Sequence, residues 1–299
     1  MKEFKDIKDD QIRIIGGDDR GKTPSRRFRI IMLLMLSGCV LLIGGAVFIT
    51  ALRHEKASEA EPEPAYFEPE ATPEPIRSEW LGARVDSLAR GFTEIRDTLI
   101  NDIPLRIYIP HNAGMSLHVG RMDRQDSSVI YAAQAADIRA DNGGIVGAFV
   151  LKGTPRSWGV SKKGFCASIG GVVTVGVAEN SPLFEEATER EGYFFRQYPL
   201  VDNGTLVENA PRGKSIRRGI CHRQGEIFMI ETRTPESFHD FAQALVDLGV
   251  EQAVYLVGSS AYGWAVDQEG RRHEFGDKNY YTARRRIPEN ISYIVWKRK

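Results

Sequence analysis

The stretch Glu226–Ser260, EIFMIETRTPESFHDFAQALVDLGVEQAVYLVGSS, decides the reading of the fold. It opens with EIFMIE, a short apolar run of strand length. Thr234 and Pro235 follow, a cap and then a proline at the first helical position, where a missing amide costs nothing. Phe238, Phe241, Ala242, Leu245 and Leu248 then recur every three or four residues and lie along one stripe of a helix. Gly249 stops that helix, and AVYLVG, Ala253–Gly258, reads as a second strand. Strand, helix and strand with short connections make a β-α-β unit, its two strands parallel and its crossover right-handed. Ligands of such units gather beyond the carboxyl ends of the strands, so GSSAYGW, Gly258–Trp264, is the primary candidate site.

Working outward, apolar and β-branched runs alternate with turn pairs at Lys152-Gly153, Gly170-Gly171, Asn203-Gly204 and Gln224-Gly225, each the signal of a hairpin. PLFEEATEREG, from Pro182, reads as a short helix with proline at its first position. Its alanines make SVIYAAQAADIRAD, Ser128–Asp141, read as a helix that stops at Asn142–Gly144. PLRIYIPHN and MSLHVG, from Pro104 to Gly120, alternate as two strands of a hairpin around His111–Gly114. Ser78–Ile100 reads as partly helical, interrupted at Gly91. The fold class predicted is α+β: a mixed-sheet globular domain over residues 77–299 with a C-terminal β-α-β unit.

The 299 residues are 42% hydrophobic and 27% charged, enough for one sizeable domain. A formal net charge of zero offers no basic surplus to neutralise phosphates, so no nucleic-acid partner is expected. The charge is unevenly placed, however. Ile30–Leu52 carries no charged residue between Arg29 and Arg53 and is long enough for a single-pass N-terminal transmembrane helix. Lys22, Arg26, Arg27 and Arg29 precede it, and seven glutamates from Glu55 to Glu74 follow it. Positive residues stay inside, which predicts a cytoplasmic tail over 1–29 and an extracytoplasmic domain, periplasmic or extracellular. The Glu-Pro repeats within 53–76 predict an extended linker. IIGGDDRGKT, Ile14–Thr23, fits a phosphate-loop pattern with Gly16, Gly21, Lys22 and Thr23. Six residues before the span leave no room for the sheet and helix that pattern needs, so a nucleotide ligand is not expected.

Two cysteines, Cys166 and Cys221, fall in the exported part, each in an apparent strand interior. The reading favours two buried small side chains over a disulfide. Cys221-His222 cannot be a nucleophile and base, because neighbours on a strand point to opposite faces. The six histidines show no ligand spacing, so no metal and no cofactor is implied. In the candidate loop, the hydroxyls of Ser259 and Ser260 beside Tyr262 and Trp264 suit a sugar, apolar on its face and polar at its rim. A serine-nucleophile elbow is not met. Arg217 and Arg218 alternate, so one can point into a pocket while the other is solvated, and an inward guanidinium suits a phosphate or carboxylate.

Four stretches in order carry a resemblance: VGAFVLKGTP (Val146–Pro155), QYPLVDNG (Gln197–Gly204), IRRGI with GEIFMI (Ile216–Ile230), and LGVEQAVYLVGSS (Leu248–Ser260). Together they resemble the phosphodiester glycosidase family, which implies action on a glycosyl phosphodiester; with the span at 30–52 the expectation is a membrane-anchored protein acting in the cell envelope. The resemblance carries over Arg217 as the family's arginine, read here as the phosphate holder, Gly258 as a glycine of the final loop, and the Asn203-Gly204 turn. With the loop's own chemistry this gives Arg217, Ser259 and Ser260 as catalytic candidates and Asn203, Gly204, Gly258, Tyr262 and Trp264 as substrate contacts. The chain departs from the family where Val257 replaces an aspartate, Val146 an asparagine, and Gly258-Ser259-Ser260 a triple glycine. Valine has neither lone pair nor proton. Two readings therefore stand: a hydrolase of sugar phosphodiesters, or an altered member that binds a glycan or sugar phosphate without turnover. Asp202, Asp267 and Asp277 are the carboxylates whose position separates them.

Overall fold

The computed structural model describes residues 77–78, 90–280 and 287–298, all within a unit spanning Glu68–Lys299. Of these residues 49% are strand and 9% helix, so the expected α+β class gives way to a β architecture of three antiparallel sheets. In chain order the strands are β1 (Arg77–Ser78), β2 (Phe92–Ile100), β3 (Ile103–His111), β4 (Gly114–Val119), β5 (Val129–Gln134), β6 (Ala148–Leu151), β7 (Thr154–Trp158), β8 (Gly164–Ile169) and β9 (Val172–Val177). Helix α1 (Leu183–Glu189) precedes β10 (Tyr193–Gln197), β11 (Pro199–Asp202), β12 (Thr205–Leu206), β13 (Arg218–Arg223) and β14 (Glu226–Thr232). Helix α2 (Phe238–Asp247) leads to β15 (Gln252–Leu256), β16 (Gly263–Val266), β17 (Arg272–Phe275) and β18 (Ser292–Lys297). The sheets run β1-β9-β8-β10-β6-β7, β12-β11-β15-β13-β14-β3-β2 and β17-β16-β5-β18-β4.

The strand-helix-strand segment forms, and its two strands β14 and β15 run parallel to each other, but they are not neighbours. β13 lies between β14 and β15 and pairs antiparallel with both. The Gln224-Gly225 turn, with φ of 49° and 82°, folds β14 back onto β13 before the helix begins, and a two-residue hairpin of this kind needs no long loop closure. The helix cap is Ser237, whose side chain accepts from the Asp240 amide, rather than Thr234. Gly249 at φ 83° closes the helix as expected. Phe238, Phe241, Ala242 and Leu245 are buried along α2. Each fully buried Phe or Leu is worth roughly 1.5–3 kcal/mol, so this stripe holds the helix to the sheet.

The alanine-rich stretch is strand β5, not helix. Five of its six residues are buried, and it is the central strand between β16 and β18. A short continuous apolar run carries no period that separates the two, and here non-local pairing decided. Phe92–Ile100 is likewise strand, zipped to β3 over nine residues through the Asn101-Asp102 turn. The expected hairpin at His111–Gly114 does not close: β3 and β4 belong to different sheets, and the turn hands the chain from one to the other. The hairpins at Lys152-Gly153, Gly170-Gly171 and Asn203-Gly204 do form, with positive φ at both turn residues.

A central core draws side chains from all three sheets, among them Tyr108, Tyr131, Phe149, Phe195, Met229, Leu256 and Trp296. Helix α2 covers the outer face of the seven-stranded sheet, and α1 covers that of the six-stranded one. Cys166 and Cys221 are free and buried in separate clusters. Burial pushes both thiols above their ordinary value. The expected span 30–52, the linker 53–76 and the glycine-rich stretch 14–23 lie outside the described residues. Among the described residues no helix is long and apolar enough to cross a membrane.

Candidate functional site

The loop after β15 is positioned by its neighbours' backbones. The Ser259 amide donates to Ile216 O at 2.8 Å, and the Val257 amide to Gln134 O at 3.0 Å. Gly258 is obligatory here, because a Cβ would stand 2.1 Å from Ile216 O. Its amide donates to the Tyr255 hydroxyl at 3.1 Å. Ser259 (φ 53°) and Ser260 are exposed at the tip.

Both adjacent arginines are buried, which corrects the expectation that one would be solvated. The sheet has a core on each face, so alternation sends neither to water. Arg217 is 6% exposed. It lies 4.1 Å over the Phe238 ring, and its Nε and Nη2 donate to Glu236 O and Gly213 O at 2.9 and 2.6 Å. Arg218 points to the central core, 4.6 Å over Phe275. It pairs with buried Glu231 and donates through Nη1 to Val257 O and Ala261 O, so it ties down both shoulders of the loop.

From Arg217 a bridge of aromatic rings runs to a second cation. Phe238 packs 4.8 Å from Tyr255 and 5.4 Å from Tyr198. The Lys162 ammonium sits 3.0 Å over the Tyr198 ring and donates to Gln197 Oε1 at 3.0 Å. Gln197 Nε2 in turn donates to Asp137 Oδ2 at 3.0 Å, with Lys162 3.6 Å from the same oxygen. Asp137 remains partly open to solvent at 38% side-chain exposure. Its backbone carbonyl accepts from the Val146 amide at 2.9 Å, which brings the first quoted motif to the same end of the sheets. No sequence motif marks Asp137, Lys162, Gln197 and Tyr198 together as a site. Gln197 and Tyr198 lie in a quoted motif, but nothing local marks Asp137 or Lys162 as their partners.

The other expected contacts are dispersed. Asn203-Gly204 sits at the opposite end of β15, where Gly204 N donates to Glu251 O and Gln252 Nε2 donates to Asn203 Oδ1. That end is about 20 Å from the loop at ordinary strand rise. Tyr262 and Trp264 are 2% and 0% exposed, packed in a cluster on the outer face of the five-stranded sheet. Burial, then the hydrogen bond to Glu274, push the Tyr262 hydroxyl above its ordinary value. Neither ring presents a free face to a sugar. Of the three aspartates, Asp202 stands beside Asn203. Asp267 caps the far turn of β16 and β17, where burial raises its pKa but hydrogen bonds from His273 and Arg271 outweigh it and hold it at about 2. Asp277 alone adjoins the loop, its amide donating to Ser260 O at 2.9 Å. His222 is buried and kept toward its neutral form by desolvation, which outweighs Glu251 3.1 Å away.

No family model and no curated protein matches the sequence. Among solved structures the chain is similar to the zebrafish N-acetylglucosamine-1-phosphodiester alpha-N-acetylglucosaminidase catalytic domain, auto-inhibited by its pro-peptide. That likeness has a TM-score of 0.50 and 13% identity, over 73% of this chain and 87% of the other. The chain is also similar to a hypothetical protein from Synechocystis, with a TM-score of 0.49 and 13% identity, over 70% of this chain and 62% of that one. The resemblance read from the four motifs therefore holds as a distant likeness of fold.

Proposed function

We propose that the end of the sheets around Gly258 binds a glycosyl phosphodiester and that the protein acts on it as a phosphodiester-glycosidase-like hydrolase. The observation that supports this is the row Arg217, Phe238, Tyr198 and Lys162, two cations on an aromatic bridge, with the Asp137 carboxylate at one end. Arg217 keeps Nη1 free of any hydrogen bond among the described residues, a donor for a phosphate oxygen. Cleavage of a glycosidic bond calls for carboxylates at the bond, and Asp137 and Asp277 are the ones assigned that role in this reading. Ser259 and Ser260 stand at the tip as hydroxyl contacts for the sugar.

A second reading, binding without turnover, draws on Val146 and Val257, which put hydrocarbon where the family's amide and acid stand. The test is hydrolysis and calorimetric binding of an N-acetylglucosamine 1-phosphodiester by the full chain, compared with Arg217→Ala and Asp137→Asn. Arg217→Ala should weaken binding about 10- to 100-fold, the range of one hydrogen bond to a charged group. Asp137→Asn should abolish turnover and spare binding. Wild-type binding without turnover selects the second reading, and wild-type protein that neither binds nor cleaves the ester rejects both. We infer an extracytoplasmic placement from the charge asymmetry about residues 30–52 alone, and a reporter fused at Lys299 that is active only in the cytoplasm would reverse it.

A further inference from the structure

An open groove of about 590 Å³ lies on the outer face of the six-stranded sheet, lined by Ala148, Trp158, Val160, Ser181, Phe184 and Arg196, with Asn180 and Glu185 at its margin. That volume is in the range of small-ligand sites. Only three large apolar side chains among the described residues are well exposed, and Trp158 at 68% and Val160 at 71% both border this groove. Single exposed apolar residues are ordinary, but a tryptophan and a valine flanking one concavity make a patch with a shape. Gly147 (φ 86°) and Gly159 allow it: a Cβ on Gly159 would stand 3.3 Å from the Gly147 backbone, so the 159–162 loop passes directly over the start of β6.

The floor carries a cation. Arg196 is 3% exposed, and its Nη1 donates to Lys162 O and Ala178 O at 2.9 Å each. Among the described residues its Nε and Nη2 make no hydrogen bond and no carboxylate lies within ion-pair distance of it. Burial lowers its pKa, with Glu185 opposing from the rim. A guanidinium that lines a groove with idle donors and no counter-ion is the group that recognises carboxylate or phosphate in a planar fork. Strand alternation sends Phe194 and Arg196 outward and Phe195 and Gln197 inward, so this groove and the Gln197–Lys162 cluster occupy opposite faces of β10.

We propose that this groove is a second binding site, for a saccharide carrying a single anionic group, with Trp158 stacked on a sugar face and Arg196 holding the anion. Asn180 and Ser181 supply polar contacts at the sugar rim, and Glu185 disfavours a second negative charge. The site goes beyond the function proposed above and does not depend on it. Binding is measured with the full chain by calorimetry and by tryptophan emission, using methyl glucuronide with its single carboxylate, glucose 1-phosphate and the neutral disaccharide maltose at equal ionic strength. One of the acidic sugars should bind at least tenfold more tightly than maltose and weaken as salt is raised, and the tighter arm names the anion as carboxylate or phosphate. Trp158→Ala, an exposed position whose loss leaves the melting temperature in place, should weaken that binding about tenfold. Arg196→Lys should weaken it further, and if that variant fails to fold the Trp158 arm still decides. Equal affinity for acidic and neutral sugars, affinity unchanged by Trp158→Ala, binding lost with Arg217→Ala but kept with Trp158→Ala, or no binding at all would overturn the proposal.

Discussion

Replacing Arg218 by methionine removes the side chain that joins the core to the candidate loop. In the native structure Arg218 and Glu231 are 1% and 3% exposed and paired. The same guanidinium serves Val257 O at 3.1 Å and Ala261 O at 2.7 Å. Breaking a buried pair by deleting one partner costs about 3–5 kcal/mol, since the other charge is left in a medium that solvates it poorly. Arg233, 2.8 Å from Glu231 Oε1 and 43% exposed, offsets part of this and places the pair near the lower end. Two orphaned carbonyls raise it again, by less than the roughly 1–3 kcal/mol each that a fully unsatisfied group costs, because the loop can turn them to water. The sum is about 4 kcal/mol, or roughly 8–16 °C in melting temperature for a domain of this size. The assay is calorimetric melting with urea unfolding of Arg218→Met, Glu231→Gln and the double variant. Removing the carboxylate's charge as well should recover at least about 1 kcal/mol, since the uncompensated anion is then gone. A loss below about 1 kcal/mol, or strictly additive single costs, would refute the reasoning.

Gly258→Ala should destabilise by about 1–3 kcal/mol, the usual range for overpacking. It should also weaken ligand binding at the loop, because the Cβ meets Ile216 O at 2.1 Å and the Ser259–Ile216 hydrogen bond must give way; unchanged melting and binding would contradict the packing described. Asp267 is held at about 2 in the folded protein against an ordinary value of 3.8. Its folded pKa being the lower, the unfolded chain binds the proton first on acidification, so its stabilisation is complete above about pH 4 and lost as pH falls toward 2. Asp267→Asn should flatten the stability profile across that window, and a profile that keeps its wild-type slope there would remove the ion cluster from the account of acid unfolding.

What could be read from the residues was local. Lys152-Gly153, Gly170-Gly171, Asn203-Gly204 and Gln224-Gly225 announce their hairpins because left-handed turn positions select glycine and asparagine whatever lies elsewhere. The α2 stripe and its Gly249 stop are equally self-contained. Pairing partners are not local, and there the reading failed: nothing in EIFMIE or AVYLVG says that β13 will lie between them. The run at Val129–Gln134 took its structure from two strands over a hundred residues away. Burial failed for the same reason. The place of Trp264 after a glycine-serine loop suggests a sugar platform, but it enters β16 and packs with Tyr262, Tyr293 and Val295. Trp158, at the free edge of its sheet, is the tryptophan left open among the described residues.

The two valines that separate this chain from the family pattern bear on chemistry more than on shape. The Val146 amide bonds Asp137 O and the Val257 amide bonds Gln134 O, so both ends of the 134–137 segment are fixed by backbone groups that any residue at those positions supplies. Both valine side chains are only half-buried. Aspartate or asparagine there would leave the frame unchanged and add a donor or acceptor, whereas valine keeps the frame and withholds it. A site that only binds needs the frame, Arg217 and Lys162. A site that cleaves also needs a group to carry a proton, and within this frame the carboxylate already held in place is that of Asp137, fixed by Gln197 and Lys162 on one side and open to solvent on the other. Under the proposed function, turnover depends on whether a carboxylate set on that segment reaches the bond that one on position 257 would have reached, which makes Asp137→Asn the more informative substitution and Val257→Asp its converse.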